Sequence, residues 1–280
     1  MDILSVQNLS KHYDKFTLKK VSFSLEKGYI MGFIGRNGAG KTTTLKAMLN
    51  LVHADGGQVT MLGQDFASHE LACKHKIGFV FGGVDYYPKK KLKAITSVVR
   101  RFYPDWDNDV YTDYLRRFAL DPEKRVDELS DGMRVKYALA LALSHHAQLL
   151  ILDEPTSGLD PVSRDDLLEL FQSLIEDGER SILFSTHITS DLEKCADFIT
   201  YIRDGEIVAS TDLTAFLDSW RLVKGSVDRL PPELKPKMHG LKQNAFGFAA
   251  LMSTADVPAD CALDVAPADL DTIMIYCERE

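Results

Sequence analysis

The spacing of apolar and polar positions changes several times along this chain. Residues 2–9 and 21–25 read as short strands, and residues 18–25 alternate apolar and polar as a half-buried strand does. Lys27-Gly28 turns the chain into an apolar run of strand length, residues 29–34. Further strands are expected at 59–62 and 77–81. Across about 84–145 the period becomes helical, with Ile95, Val98, Val99 and Phe102 in one stripe and Val110, Tyr114, Leu115 and Phe118 in the next. This segment reads as a helical insert, closed by an Ala- and Leu-rich helix over 135–143. Leu149-Leu150-Ile151-Leu152 is a continuous apolar run, as expected of a parallel strand buried on both faces. A helix over 167–175 and a second central strand over 182–184 follow. Residues 198–202 and 206–208 flank Asp204-Gly205, a type I′ hairpin signal. Strands that alternate with helices predict an α/β core.

After residue 211 the texture shifts. Leu230-Pro231-Pro232, Pro236, Pro258 and Pro267 break regular structure, and strands are expected at 222–225 and 273–276. The organisation expected is therefore a main domain over 1–211 and a small α+β accessory domain over 212–280.

Composition excludes more than it assigns. The net charge of −8 argues against nucleic acid as a partner, because phosphate backbones attract basic surfaces. No apolar run is long enough to cross a bilayer, and the chain starts directly into a strand-like segment rather than a signal peptide. The four cysteines, Cys73, Cys195, Cys261 and Cys277, form no CxxC pair and read as buried reduced thiols of a cytoplasmic protein.

The sharpest chemistry is at residues 35–43, Gly-Arg-Asn-Gly-Ala-Gly-Lys-Thr-Thr. Gly35, Gly40, Lys41 and Thr42 complete the phosphate-loop pattern, with Asn37 and Gly38 inside it and Thr43 directly after it. Glycines let the backbone wrap phosphates closely, and the wrapped N–H groups form an anion nest. Lys41 supplies a charge for the β- and γ-phosphates, and the Thr42 hydroxyl is placed to ligate Mg²⁺. An apolar strand before the loop and helical spacing after it would aim a helix N-terminus at the ligand. The expected ligands are a nucleoside triphosphate and Mg²⁺. A second element fits. The apolar run at 149–152 ends in Asp153 and Glu154, one carboxylate to hold Mg²⁺ through water and one to polarise an attacking water.

With these residues in place the chain resembles the ABC ATPases. Leu129-Ser130-Asp131-Gly132-Met133 looks like their signature motif, Ser157-Gly158-Leu159-Asp160 like their D-loop, His187 like their switch histidine, and Tyr13 like the aromatic that stacks on adenine. The order and spacing agree over roughly the first 210 residues. The resemblance implies a P-loop NTPase core of ABC type with an N-terminal antiparallel β subdomain and a helical signature subdomain. It implies that Ser130 and Gly132 reach across a dimer in which two ATP molecules are sandwiched, that Asp160 belongs to the nucleotide-binding set, and that Glu154 and His187 are catalytic. It also implies a separately encoded transmembrane permease as partner, a peripheral position on the cytoplasmic face of the cell membrane, and a homodimer or heterodimer of ATPase subunits.

Two departures stand out. Asp131 and Met133 replace a glycine and a glutamine of the usual signature, a pattern similar to a prokaryotic export subgroup that includes antibiotic-peptide exporters. Gly82, followed by Gly83, stands where the family usually has a glutamine, and Asp85 is a candidate substitute. The stretch Tyr86-Tyr87-Pro88-Lys89-Lys90-Lys91-Leu92-Lys93 reads either as a solvated basic loop or as the patch where the permease docks.

The function expected is ATP hydrolysis that drives a transporter, with export the direction the resemblance implies. The rival is a soluble single-cassette ATPase acting in assembly or repair. The segment from Lys41 to Leu129 is too short for the coiled coil of repair members. A small-molecule kinase or GTPase is disfavoured, because the signature has no role there and no guanine-reading N-K-x-D is present.

Overall fold

The computed structural model describes residues 1–81, 87–258 and 263–278. It contains two compact units, Met1–Ser210 and Thr211–Glu280. In the first, β1 (Asp2–Tyr13) and β2 (Phe16–Glu26) pair antiparallel. Both strands outrun the segments their alternation marks. Lys11, His12 and Tyr13 stay in register with Leu18, Thr17 and Phe16, although their polarity hides them from a burial pattern.

From β2 the chain enters β3 (Ile30–Ile34), the phosphate loop and α1 (Lys41–Met48). β4 (Gly56–Met61) and β5 (Gln64–Asp65) complete an antiparallel sheet of order β2-β1-β4-β5. Then come α2 (Glu70–Lys74), β6 (Ile77–Phe81), α3 (Leu92–Val99), α4 (Asn108–Arg117) and α5 (Asp131–Leu143). The last three make the helical segment. A buried hydroxyl network ties them together: Thr96 Oγ1 lies 2.8 Å from Tyr111 Oη and 2.9 Å from Tyr137 Oη, and Tyr137 Oη donates to the Leu92 carbonyl at 3.0 Å. A fully partnered buried network fixes one packing, because each group left alone would cost its desolvation.

The rest of this unit alternates: β7 (Leu149–Asp153), α6 (Pro161–Ile175), β8 (Ser181–Thr186), α7 (Thr189–Cys195), β9 (Phe198–Arg203) and β10 (Glu206–Asp212). The central sheet runs β10-β9-β3-β8-β7-β6, parallel from β9 to β6. β3, β7 and β8 are buried at every position, which explains the apolar runs at 149–152 and 182–184 and in β3. Asp204 and Gly205 between β9 and β10 have φ of 48° and 80°, both positive as a type I′ turn requires. This is the α/β core read from the sequence, with its antiparallel β and helical subdomains.

The second unit holds α8 (Leu213–Asp218), β11 (Trp220–Gly225), β12 (His239–Asn244), β13 (Gly247–Ser253), β14 (Asp264–Pro267) and α9 (Leu270–Cys277). Its antiparallel sheet runs β12-β13-β11-β14 over a small core that includes Val223, Phe248, Ala250 and Met252. Here one expectation fails. Residues 273–276 are not a strand but part of α9. The Asp269 side chain accepts from the Thr272 N–H and caps the helix, and Leu270, Ile273, Tyr276 and Cys277 bury one face. A four-residue apolar run carries no period, so the cap and the burial decided it.

Cys73, Cys195 and Cys277 are buried thiols, as expected; Cys261 lies outside the described residues.

Candidate functional site

The site starts at the end of β3. Gly35 has no room for a side chain, since a Cβ there would lie 2.4 Å from the Ile202 carbonyl oxygen. Gly40 has φ +116°, a left-handed conformation that L side chains rarely adopt. Gly40 is also the N-cap of α1, and no side chain caps that helix. The first-turn N–H groups of α1 therefore have no side-chain acceptor and face the loop, an arrangement suited to an anion.

Lys41 is buried, with 6% of its side chain exposed. Its ammonium donates to the Gly35 carbonyl at 2.7 Å and pairs with Glu154 Oε1 at 3.2 Å. The Thr42 hydroxyl donates to Asp153 Oδ2 at 2.7 Å, which brings together residues 111 positions apart. Asp153 ends β7, and its other oxygen accepts from the Ser185 hydroxyl at 2.5 Å. Glu154 then leaves the strand with φ 51°, left-handed for a residue that has a Cβ. Its N–H donates to the Ser185 carbonyl and hydroxyl oxygens, both at 3.1 Å. Glu154 Oε2 lies 2.7 Å from His187 Nδ1. A carboxylate only accepts, so in this pair the imidazole proton sits on Nδ1.

These groups open into a cleft of about 620 Å³, lined in part by Tyr13, Asn37, Gly38, Thr43, Glu154 and His187. Tyr13 is 41% exposed, and the Lys11 ammonium sits 5.5 Å from its ring centroid. A base could stack on the open face of such a ring. The fold therefore gathers Tyr13, Gly35, Asn37, Gly38, Gly40, Lys41, Thr42, Thr43, Asp153, Glu154 and His187 around one cavity or its wall.

Ser130, Gly132 and Asp160 do not line that cleft. Ser130 caps α5 by accepting from the Met133 N–H at 3.3 Å, and Asp131 in its first turn pairs with Arg134. Asp160 caps α6, accepting from the Val162 and Ser163 N–H groups and, at 2.6 Å, from the Ser163 hydroxyl. The Ser163 contacts hold its carboxyl below the usual range. Gly132 faces this segment: a Cβ there would sit 3.4 Å from Leu159. The signature thus packs against the D-loop, whose first residue, Ser157, lines this chain's own cleft while Asp160 does not. Gly82, Gly83 and Asp85 lie outside the described residues.

Sequence reasoning missed Ser185, which holds both carboxylate positions. Its signal was faint: a hydroxyl at the polar end of an apolar strand, two residues before His187.

The donors here fit a metal ion. Thr42 Oγ1 and Asp153 offer hard oxygens side by side, and Ser185 orients the carboxylate, the oxygen-only chemistry that Mg²⁺ prefers.

Residues 18–157 match the ABC transporter family. The chain is 31% identical over 229 residues to the ABC transporter ATP-binding protein YtrB of Bacillus subtilis, covering 81% of this chain and 77% of that protein. It is 33% identical over 224 residues to the Nod factor export ATP-binding protein I of Burkholderia orbicola, covering 77% and 73%. A solved ATP-binding subunit of an ABC transporter superposes with a TM-score of 0.69 at 26% identity, over 76% of this chain and 91% of that one. No helix among the described residues is long and apolar enough to cross a membrane. By sequence over most of its length, and by the fold around its phosphate loop, this chain belongs to the ABC transporter family as one of its ATP-binding, ATP-hydrolysing subunits.

Proposed function

We propose that this chain powers export through a separately encoded membrane permease, working from the cytoplasmic face as an ATP-sandwich dimer. The observation that carries this reading is the convergence of Lys41, Thr42, Asp153, Glu154 and His187 on one cleft that Ser130, Gly132 and Asp160 do not reach. A second copy brings its signature to the open side of the cleft and completes the site. Export is supported by the Asp131 and Met133 pattern and by the similarity to a Nod factor export protein. The permease seat in this reading is an apolar groove of about 320 Å³ lined by Phe79, Phe81, Val99, Tyr103, Ala138 and Leu141.

The residues divide the chemistry. The loop N–H groups and Lys41 bind the phosphates and stabilise the charge that develops on them. Glu154 accepts the proton of the attacking water, and His187 holds Glu154 in place through Nδ1. Thr42 and Asp153 would hold Mg²⁺, which when bound neutralises phosphate charge. Tyr13 stacks on the base, and Ser130 of the second copy reaches the γ-phosphate. Lys41 is engaged by Glu154 at 3.2 Å, so ATP must draw the lysine onto its phosphates and leave Glu154 to water.

The test is ATP turnover by wild type and Glu154→Gln, with size-exclusion chromatography in ATP. Turnover lost in the variant beside an ATP-induced dimer supports the sandwich. A strictly monomeric wild type that turns over ATP sinks the dimer reading.

A further inference from the structure

Residues 87–102 carry four lysines, two arginines and no acid, on a chain whose net charge is −8. The structure gives this run a defined surface. α3 buries Leu92, Ile95 and Thr96. Its outer face, and the short 3₁₀ turn that extends it, present Ala94, Val98 and Phe102 at i, i+4 and i+8. Val98 is 53% exposed and Phe102 is 68% exposed. The cations divide in two. Lys91 and Lys93 are both paired with Glu123, at 2.9 and 2.6 Å. Lys89, Lys90, Arg100 and Arg101 are exposed and make no ion pair among the described residues.

The geometry points to an anionic phospholipid surface as the partner of this face. Exposed apolar side chains between unpaired cations suit an interface where apolar groups enter the headgroup layer and long basic chains reach up to the phosphates. An acidic protein segment would satisfy the charges but offers no apolar layer for Val98 and Phe102, which stand 53% and 68% exposed. The groove is on the other side of α3, where Val99 and Tyr103 point, and is free for a protein partner. The proposal rests on the transporter reading only in that such a subunit works beside a bilayer. The patch would add a direct membrane contact to the one made through the permease.

The experiment is sedimentation of the full chain with vesicles of phosphatidylcholine, alone or mixed with phosphatidylglycerol, at low and high salt. ATP turnover is measured on the same protein preparations before vesicles are added. Binding is expected only to the anionic vesicles, weakening as salt screens the charges. Lys89→Glu/Lys90→Glu/Arg100→Glu/Arg101→Glu should lose at least tenfold in vesicle affinity while it keeps wild-type turnover. Val98→Ser/Phe102→Ser should lose affinity with its charges intact. Failure to bind anionic vesicles, or wild-type binding by either variant, overturns the proposal. Because turnover is read without lipid or permease, either result leaves the ATPase reading to its own test.

Discussion

Glu154 and His187 lie 33 residues apart in sequence and meet at 2.7 Å, carboxylate to imidazole, where β7 and β8 end side by side. The contact exists because the two strands are parallel neighbours, so the residues that leave them emerge at the same edge of the sheet. On its other side Glu154 meets Lys41. One carboxylate thus touches both the lysine of the phosphate loop and the histidine opposite.

From this follows the expected behaviour of Glu154→Gln. The amide keeps the size but cannot take a proton, so turnover should fall by about 10²–10⁴-fold. ATP should still bind. Phosphate release and nucleotide titration read the two separately, and wild-type turnover in the variant would remove Glu154 from the catalytic role.

Ser185→Ala tests the residue that the motifs do not mark. Its hydroxyl donates to Asp153 and accepts from the Glu154 N–H. Removing it leaves a buried carboxylate oxygen short of a partner, at a cost of about 1–3 kcal/mol. Nucleotide affinity should drop more in the presence of Mg²⁺ than in its absence. An equal drop in both would show that Ser185 does not act through Asp153.

Gly35→Ala should be far worse than its size suggests. The new methyl would lie 2.4 Å from a backbone carbonyl, which has no rotamer to move into. The loop must shift, so ATP binding is expected to vanish and the thermal midpoint to fall. A variant that binds ATP normally would show that the strand–loop junction is more pliable than this packing allows.

Stability should also depend on pH through His145. It is buried, stacked on Tyr103 at 3.8 Å, with Nδ1 3.0 Å from the His75 carbonyl oxygen. Burial pushes its imidazole down to about 4. An unfolded histidine titrates near 6.5. The unfolded chain therefore binds a proton that the folded one refuses, and stability is full above about 6.5 and is lost as pH falls towards 4. The loss from this group is at most about 3 kcal/mol. Chemical denaturation at pH 7 and pH 5 should show it, and His145→Phe should flatten the difference.

Cys195 should resist thiol reagents in the native state. It is buried, and burial pushes its thiol up to about 12, so almost no thiolate forms at neutral pH. Mass spectrometry after maleimide treatment should find Cys195 modified only once denaturant is added.

Much of this protein was determined locally. The phosphate loop needs residues within nine positions of one another, and the Asp153-Glu154 pair ends a run that is apolar because both of its faces are covered. Asp204-Gly205 set the hairpin, since few residues tolerate two positive φ angles in succession. What only the tertiary structure decided depends on pairing between distant segments. The order β9-β3-β8-β7-β6 brings Thr42 to Asp153, and Ser185 beneath both carboxylates; no local pattern specifies which buried strands become neighbours. Residues 273–276 show the same limit in small. A short apolar run is equally at home in a strand or a helix, and the Asp269 cap with one buried face made it a helix.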